Sequence, residues 1–284
     1  MPESKAALNA PQPRAKAPQR GRMEWILISL VVLYAALLLV GPLAAIIWGS
    51  FSKGISEFFL QIASPDAVSA LKLTMILTIG ATIINTVFGV SLAWILVRDD
   101  FHGRRFIDAL VDLPFAVSPV IAGLMLILLF GRGGWFAGII DAAGIKMVFA
   151  PPGMLLATIF VTLPFVTREV MPVLVQIGTV QESAAYTIGA SSWQAFWHVT
   201  LPSIRWGLFY GISLTFARAL GEFGALLVVS GGVSGMTETS TLFIFRSLDD
   251  RNYVGAYAMA MTLAAISFSI LMLMEFFKKR TEVR

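Results

Sequence analysis

Arg218 and Glu222 stand four residues apart in the stretch ARALGEFGA, residues 217–225, inside an otherwise apolar run. On a helix this spacing puts both side chains on one face, about 6 Å apart along the axis. Charges so placed are costly in lipid and face a partner or a wet cavity. The pair reads either as an internal ion pair or as part of an anion pathway. In the second case the carboxylate tempers the field of the arginine, so that an anion passes without being trapped. Other chemistry is scarce. The two histidines, His102 and His198, are isolated, and neither an HExxH nor a GxSxG pattern occurs, which argues against an intramembrane protease or esterase. Without cysteine there is no disulfide, thiolate metal site or thiol nucleophile. The phosphate-binding pattern G-x4-G-K-[ST] is missing, so the chain does not bind and hydrolyse ATP by the usual route. The expectation is a non-enzymatic chain with no cofactor of its own.

The elements that must position Arg218 and Glu222 are membrane helices. The chain has 284 residues, of which 57% are hydrophobic and 13% charged, and its mean hydropathy is +0.80. A soluble domain of this size needs far more polar surface. The net charge of +4 does not point to nucleic acid, because the basic residues flank hydrophobic runs instead of forming a stripe on a soluble domain. Residues 1–24, with Lys5, Arg14, Lys16, Arg20 and Arg22, read as a disordered cytoplasmic tail. The apolar run 25–47 is longer than a signal-peptide core and reads as a first span that stays. Five further spans are expected at about 70–97, 109–130, 149–172, 207–230 and 254–277. They are helices, since strand-like alternation is missing and lipid offers backbone groups no partner. Basic residues gather in the tail, at Arg98, Arg104 and Arg105, and at Lys278, Lys279, Arg280 and Arg284. That bias puts both termini in the cytoplasm, as six spans require. The fold class is all-α: a polytopic, multi-pass inner-membrane protein.

Several positions carry two readings at this level. Pro114 and Pro119 bracket the start of span three, and Pro164 and Pro172 interrupt span four. Such prolines free carbonyls and bend an axis, which makes either a pliable pathway wall or a packing adaptation. Gly207 and Gly211 allow close helix contact. The polar outer loop near 231–253 is either a docking surface or an ordinary connection.

Between spans four and five lies QESAAYTIGASSWQAFWHVTLPSIRWG, residues 181–207. A short amphipathic helix is expected around Glu182 to Ile188, ended by Gly189 as a left-handed C-cap. Ser191 with Gln194 has capping-box spacing and starts a second helix, which Pro202 stops or bends before span five. Trp193, Phe196 and Trp197 form its aromatic face, and at least two of these rings are expected to be covered, by the chain's own spans in preference to a partner. The result is a helix–turn–helix knob on the cytoplasmic face.

This segment resembles the EAA loop of the membrane subunits of bacterial ABC importers, whose pattern is E-A-A-x3-G-x9-I-x-L-P. Ala184, Ala185, Gly189, Val199, Leu201 and Pro202 match it. The glutamate slot holds Ser183, and Glu182 lies one residue earlier. ARALGEFGA, shared with molybdate permeases, and DLPFAVSPVIAGLMLILLFG, residues 112–131, are similar to sulfate/thiosulfate permease subunits, the second stretch most to the CysW-type member of the pair. The resemblance covers roughly residues 25–280 and implies a six-helix domain of the type I ABC importer permease fold. It implies that Glu182, Ser183, Ala184, Ala185, Gly189, Leu201 and Pro202 couple to an ATPase subunit. Arg218, Glu222, Pro114, Ser118 and Pro119 would then border the pathway. The implied partners are a homologous CysT-type permease subunit, a homodimeric ATPase holding ATP and Mg, a periplasmic sulfate-binding protein and membrane lipid, with no nucleic acid. The alternatives are the same machine carrying molybdate or another oxyanion, and a self-sufficient channel or secondary transporter, for which the marker, an inverted three-span repeat, is not seen.

Overall fold

The computed structural model describes residues 22–282, and helices with their connections account for them without a strand among the described residues. Most of the expected tail lies outside the described residues, but Arg22–Glu24 belong to the first helix and not to the tail. The chain divides between Ala45 and Ile46 into two units, a boundary that falls within α1 (Arg22–Ser50). In the first unit α1 is a continuous apolar helix with exposed Leu, Val and Ile side chains.

The second unit is built around α3 (Pro65–Arg98) and α8 (Pro151–Ile177). α3 starts where the Ser64 side chain accepts a hydrogen bond from the Ala67 N–H and Pro65 fills the first turn, the placement that costs proline nothing. The stretches Met23–Ser50, Pro65–Arg98, Pro151–Ile177 and Tyr253–Phe276 are long and apolar enough to cross a membrane. The last belongs to α14 (Tyr253–Glu282). The helix α8 continues through Pro164 and Pro172, which therefore do not interrupt it. Each proline removes one N–H, and the remaining ladder and the packing on α3 carry the helix across the gap.

The other two expected spans are divided. The first becomes α4 (Arg104–Val111), α5 (Leu113–Ala116) and α6 (Pro119–Phe130). Pro114 and Pro119 each sit in the first turn of a new segment, and Val117 and Ser118 between them are extended. A residue before proline is driven out of the helical region, which is why the break falls there. The second becomes α11 (Leu201–Leu220) and α12 (Gly224–Val229), separated by Gly221, Glu222 and Phe223. α13 (Ser240–Asp249) and the short helices α2 (Ile55–Ile62) and α7 (Ala137–Ala142) complete this part of the chain.

One core cluster joins Leu77 of α3, Met154, Ala157 and Val161 of α8, and Ala225, Leu226 and Val229 of α12. A second joins Val90 and Ala93 to Val166, Val170, Leu174 and Ile204. Between them runs a buried polar stripe on α3, with Thr78, Thr82 and Asn85. The Asn85 amide donates to the Ile159 carbonyl (3.0 Å) and to Thr162 Oγ1 (2.8 Å). α11 lies close on α8 because of Gly207 and Gly211: a Cβ at Gly211 would come within 3.0 Å of Val166 Cα, and one at Gly207 within 2.9 Å of the Glu169 carbonyl oxygen. Gly211→Leu is therefore expected to push α11 off α8 and lower stability by about 1–3 kcal/mol. Thermal unfolding in detergent checks it, and an unchanged midpoint would contradict the packing described.

Candidate coupling loop and pathway site

The loop after α8 folds by two local devices. The helix α9 (Val180–Thr187) ends at Ile188, and Gly189 follows at φ 91°. The Gly189 N–H donates to the Tyr186 carbonyl (3.0 Å) and the Ala190 N–H to the Ala185 carbonyl (3.0 Å). This is the paired bonding of a Schellman stop, which needs the left-handed residue that glycine supplies most cheaply. Two residues later Ser191 Oγ accepts from the Gln194 N–H (3.3 Å) while Gln194 Oε1 accepts from the Ser191 N–H (2.8 Å). The expected capping box is thus complete, and α10 (Ser192–Ala195) begins there. Pro202 neither stops nor bends the chain out of the helix. Phe196–Thr200 widen into a π-turn whose exit, the Leu201 N–H, bonds to the Phe196 carbonyl, and α11 runs on with Pro202 in its first turn. Proline is tolerated there, in the first turn of a helix.

Glu182 does not face outward. Its side chain is 8% exposed, and a bidentate fork from Arg98, the last residue of α3, holds it: Nε to Oε2 and Nη2 to Oε1, both 3.0 Å. The same guanidinium donates to the Leu174 carbonyl (3.2 Å) and the Gly178 carbonyl (2.7 Å) at the end of α8. Thr200 Oγ1 donates to Glu182 Oε1 (3.0 Å) from the entry of α11. Ala185, one turn on, is also buried. Ser183, Ala184, Tyr186, Thr187, Ile188 and Gly189 form the exposed side, with Ile188 87% exposed. Glu182 is the one charged residue in 179–194, so the exposed knob carries no charge. Of the aromatic face, only Phe196 is covered, against Trp94 at 5.5 Å between ring centres. Trp193 and Trp197 stay 69% and 47% exposed, so the expectation of two rings covered by the chain's own spans is not met. Only the Phe196 ring meets α3, through Trp94.

At the other end of α11, Arg218 Nη1 lies 2.5 Å from Glu222 Oε2, and the carboxylate is fully buried while the arginine side chain is 33% exposed. Glu222 Oε1 accepts the Ala225 N–H (2.9 Å), and the Glu222 carbonyl accepts from Thr241 Oγ1 (2.7 Å). One carboxylate therefore balances a cation and caps α12. The two helix breaks abut, because a Cβ on Gly224 would lie 3.0 Å from Pro119 Cβ. Pro119, Glu222 and Arg218 are thereby gathered into one region, with Ser118 exposed at the break and Pro114 buried on the far side of it.

Sequence reasoning did not find the partners of these residues. Arg98 counted only as loop charge, and Thr200 as nothing. Arg168 on α8 also went unnoticed, although it forks onto Asp112 (2.7 and 2.7 Å) and bonds Asp108 (2.7 Å), pinning α4 to α8. The signal was available in kind: an arginine deep in an apolar helix demands a carboxylate. Arg246 of α13 holds the buried Glu238 at 2.6 Å and reaches Asp66 at 3.4 Å. The hydrogen bond that the Arg246 guanidinium donates to Glu238 pushes its pKa above the usual range, against the opposing effect of burial.

The described residues thus form a bundle of continuous and divided apolar helices that carries a helix–turn–helix knob between α8 and α11. A family model described as "Binding-protein-dependent transport system inner membrane component" matches residues 85–283, and the chain belongs to that family. It is 44% identical over 264 residues to the sulfate transport system permease protein CysW of Synechocystis sp., spanning 93% of this chain and 96% of that relative. The CysW protein of Escherichia coli (strain K12) is 43% identical, spanning 91% and 89%. The CysT protein of the same strain is 38% identical, spanning 84% and 87%. The fold is like that of a bacterial ABC transporter that imports the acidic polysaccharide alginate, with a TM-score of 0.77 at 18% identity, covering 91% of this chain and 96% of the other. The expected type I ABC importer permease fold is therefore the one found.

Replacing Glu222 by Ala removes the cap of α12 and the partner of Arg218 together. The expected loss is about 2–3 kcal/mol, below that of a fully buried pair because Arg218 is partly solvated. Glu222→Gln keeps an acceptor for Ala225 and loses less. Equal unfolding midpoints for the two variants would contradict the double role.

Proposed function

We propose that this chain is one of two membrane subunits of an ATP-driven importer for sulfate or thiosulfate. It pairs with a homologous CysT-type subunit, above a homodimeric ATPase and below a sulfate-binding protein of the periplasm. ATP and Mg are held by the ATPase. Six spans with both termini in the cytoplasm complete the arrangement, α4–α6 and α11–α12 being the two divided ones. The observation that carries the substrate reading is the identity of 43–44% with CysW-named sulfate permeases over nine-tenths of the chain. Similarity to a CysT protein supports a homologous second subunit. A solved relative of the same fold is described in complex with an alginate-loaded periplasmic protein, which supports the binding-protein partner.

In this reading the uncharged knob, with Ser183, Ala184 and Gly189 on its exposed side, seats in a groove of the ATPase. Leu201 and Pro202 join the knob to α11. Closure of the ATPase pair moves the knob and turns the pathway from inward- to outward-facing. Arg218 and Glu222, beside the breaks at Ser118–Pro119 and Gly221–Phe223, border the route of the anion. Discontinuous helices are where transporters place such sites.

The test is reconstitution of the four-component complex in proteoliposomes. Sulfate-loaded binding protein should stimulate ATP hydrolysis, whereas stimulation by molybdate alone would reverse the substrate assignment. Gly189→Val forces a branched residue to φ 91°, at a cost of about 1–3 kcal/mol, and should misplace both short helices. Weakened ATPase attachment with an intact membrane fold is expected, and normal transport would remove the knob from the mechanism. Glu222→Gln should leave a net positive site that holds sulfate longer and lowers turnover, a role refuted by wild-type turnover.

A further inference from the structure

The Arg98–Glu182 pair is built unlike a stabilising contact. Both side chains are about nine-tenths buried, and a buried ion pair replaced by apolar residues of similar volume is often no less stable. What the pair supplies is direction. A planar guanidinium fixes a carboxylate in two parallel bonds and has donors left over. Here those donors go to the Leu174 and Gly178 carbonyls, where α8 ends, while Thr200 fastens the same carboxylate to the entry of α11. Arg98 also lies over the Trp94 ring, 5.8 Å from its centre, and Trp94 packs edge-on against Phe196 of the π-turn. One side chain thus joins the ends of α3 and α8, the helix α9 of the knob and the root of α11. Of these, α3, α8 and α11 share one core cluster, and α11 leads to Arg218.

We infer that Arg98, acting through Glu182, is the positioning residue that transmits movement of the knob to the α3–α8–α11 bundle. The inference rests on the importer reading above and adds to it the route of coupling within this chain. Glu182 belongs to this internal tie and not to the docking face. A displaced α9 carries its carboxylate, the carboxylate carries Arg98 and Thr200, and the ends of three helices follow as one body. A knob attached only by its chain connections at Gly178–Thr179 and through α10 would swing instead, because Gly178 at φ 67° is a turn and not a strut.

The experiment uses the complete reconstituted importer and the double variant Arg98→Met with Glu182→Leu, which keeps volume in the buried site without charge. Assembly with the ATPase, ATP hydrolysis stimulated by the binding protein, and import of radiolabelled sulfate are measured together. The wild-type complex is run first. If it imports no sulfate, the importer reading fails, and that outcome is distinct from those of the variant. The expected result is a variant complex that assembles in wild-type amount but imports roughly ten- to thirty-fold less sulfate per ATP hydrolysed, the size of effect that coupling residues carry. The concentration of loaded binding protein giving half-maximal stimulation should stay unchanged. A variant with the wild-type ratio of sulfate to ATP overturns the inference. So does a variant that fails to assemble, since the pair would then serve structure alone.

Discussion

Every backbone group that a membrane helix releases must find a partner inside the protein, because lipid supplies none. The breaks in this bundle obey that constraint with charged side chains. Where α11 stops, the Glu222 carboxylate takes the free N–H of Ala225 at the start of α12. Where α8 stops, Arg98 donates to the Leu174 and Gly178 carbonyls. Each of these groups brings a charge into a dry place and needs a counter-charge, which Arg218 and Glu182 provide. The two ion pairs are therefore consequences of helix ends, one at the C-terminus of α8 and one at the break after α11, and they stand at the two ends of α11. The bundle can tolerate them because α3, α8 and α11 approach through small residues and leave little room for water.

The knob shows how function is fitted into this frame. Its two helices are too short to be stable alone. The Schellman stop at Gly189 and the capping box at Ser191 fix the turn between them, and the Glu182 tie fixes its angle to the bundle. The remaining surface is apolar or neutral and unsatisfied by the chain itself, with Val180 at 78% and Ile188 at 87% exposure. Exposed aliphatic side chains beside a rigid turn are suited to a complementary groove, where burial of apolar area gives attachment.

Local chemistry was legible in the sequence and distant pairing was not. The capping box, the glycine stop, the one-face placement of Arg218 and Glu222 and the small-residue contact of α11 all follow from spacings within a few residues. The knob's resemblance to a family loop is likewise carried by residues within some 20 positions of one another. The divided spans were only half visible: Pro114 and Pro119 announced one break, while the break at Gly221–Phe223 depends on Glu222 turning back to cap a new helix and on Thr241 holding its carbonyl. The continuity through Pro202 was hidden because the chain enters α11 through a π-turn with proline in the first helical turn, which propensity alone does not foresee. Arg98 with Glu182 spans 84 positions and Arg168 with Asp108 spans 60. No periodicity links such residues; only the rule that a buried charge must be paired does.

The one-residue shift of the acidic group in the knob then acquires a physical meaning. Successive residues on a helix are rotated by about 100°. Moving a carboxylate from the position of Ser183 to that of Glu182 turns it from the exposed side of α9 to the side that faces α3. There it meets Arg98 at 3.0 Å and is withdrawn from solvent. The exposed side of α9 is thereby left without charge, and the interior gains an ion pair. A charged docking face would make attachment sensitive to ionic strength, whereas a neutral one depends on apolar burial and fit. The Arg98–Glu182 pair, in turn, is buried, so salt screens it much less than it would a surface pair.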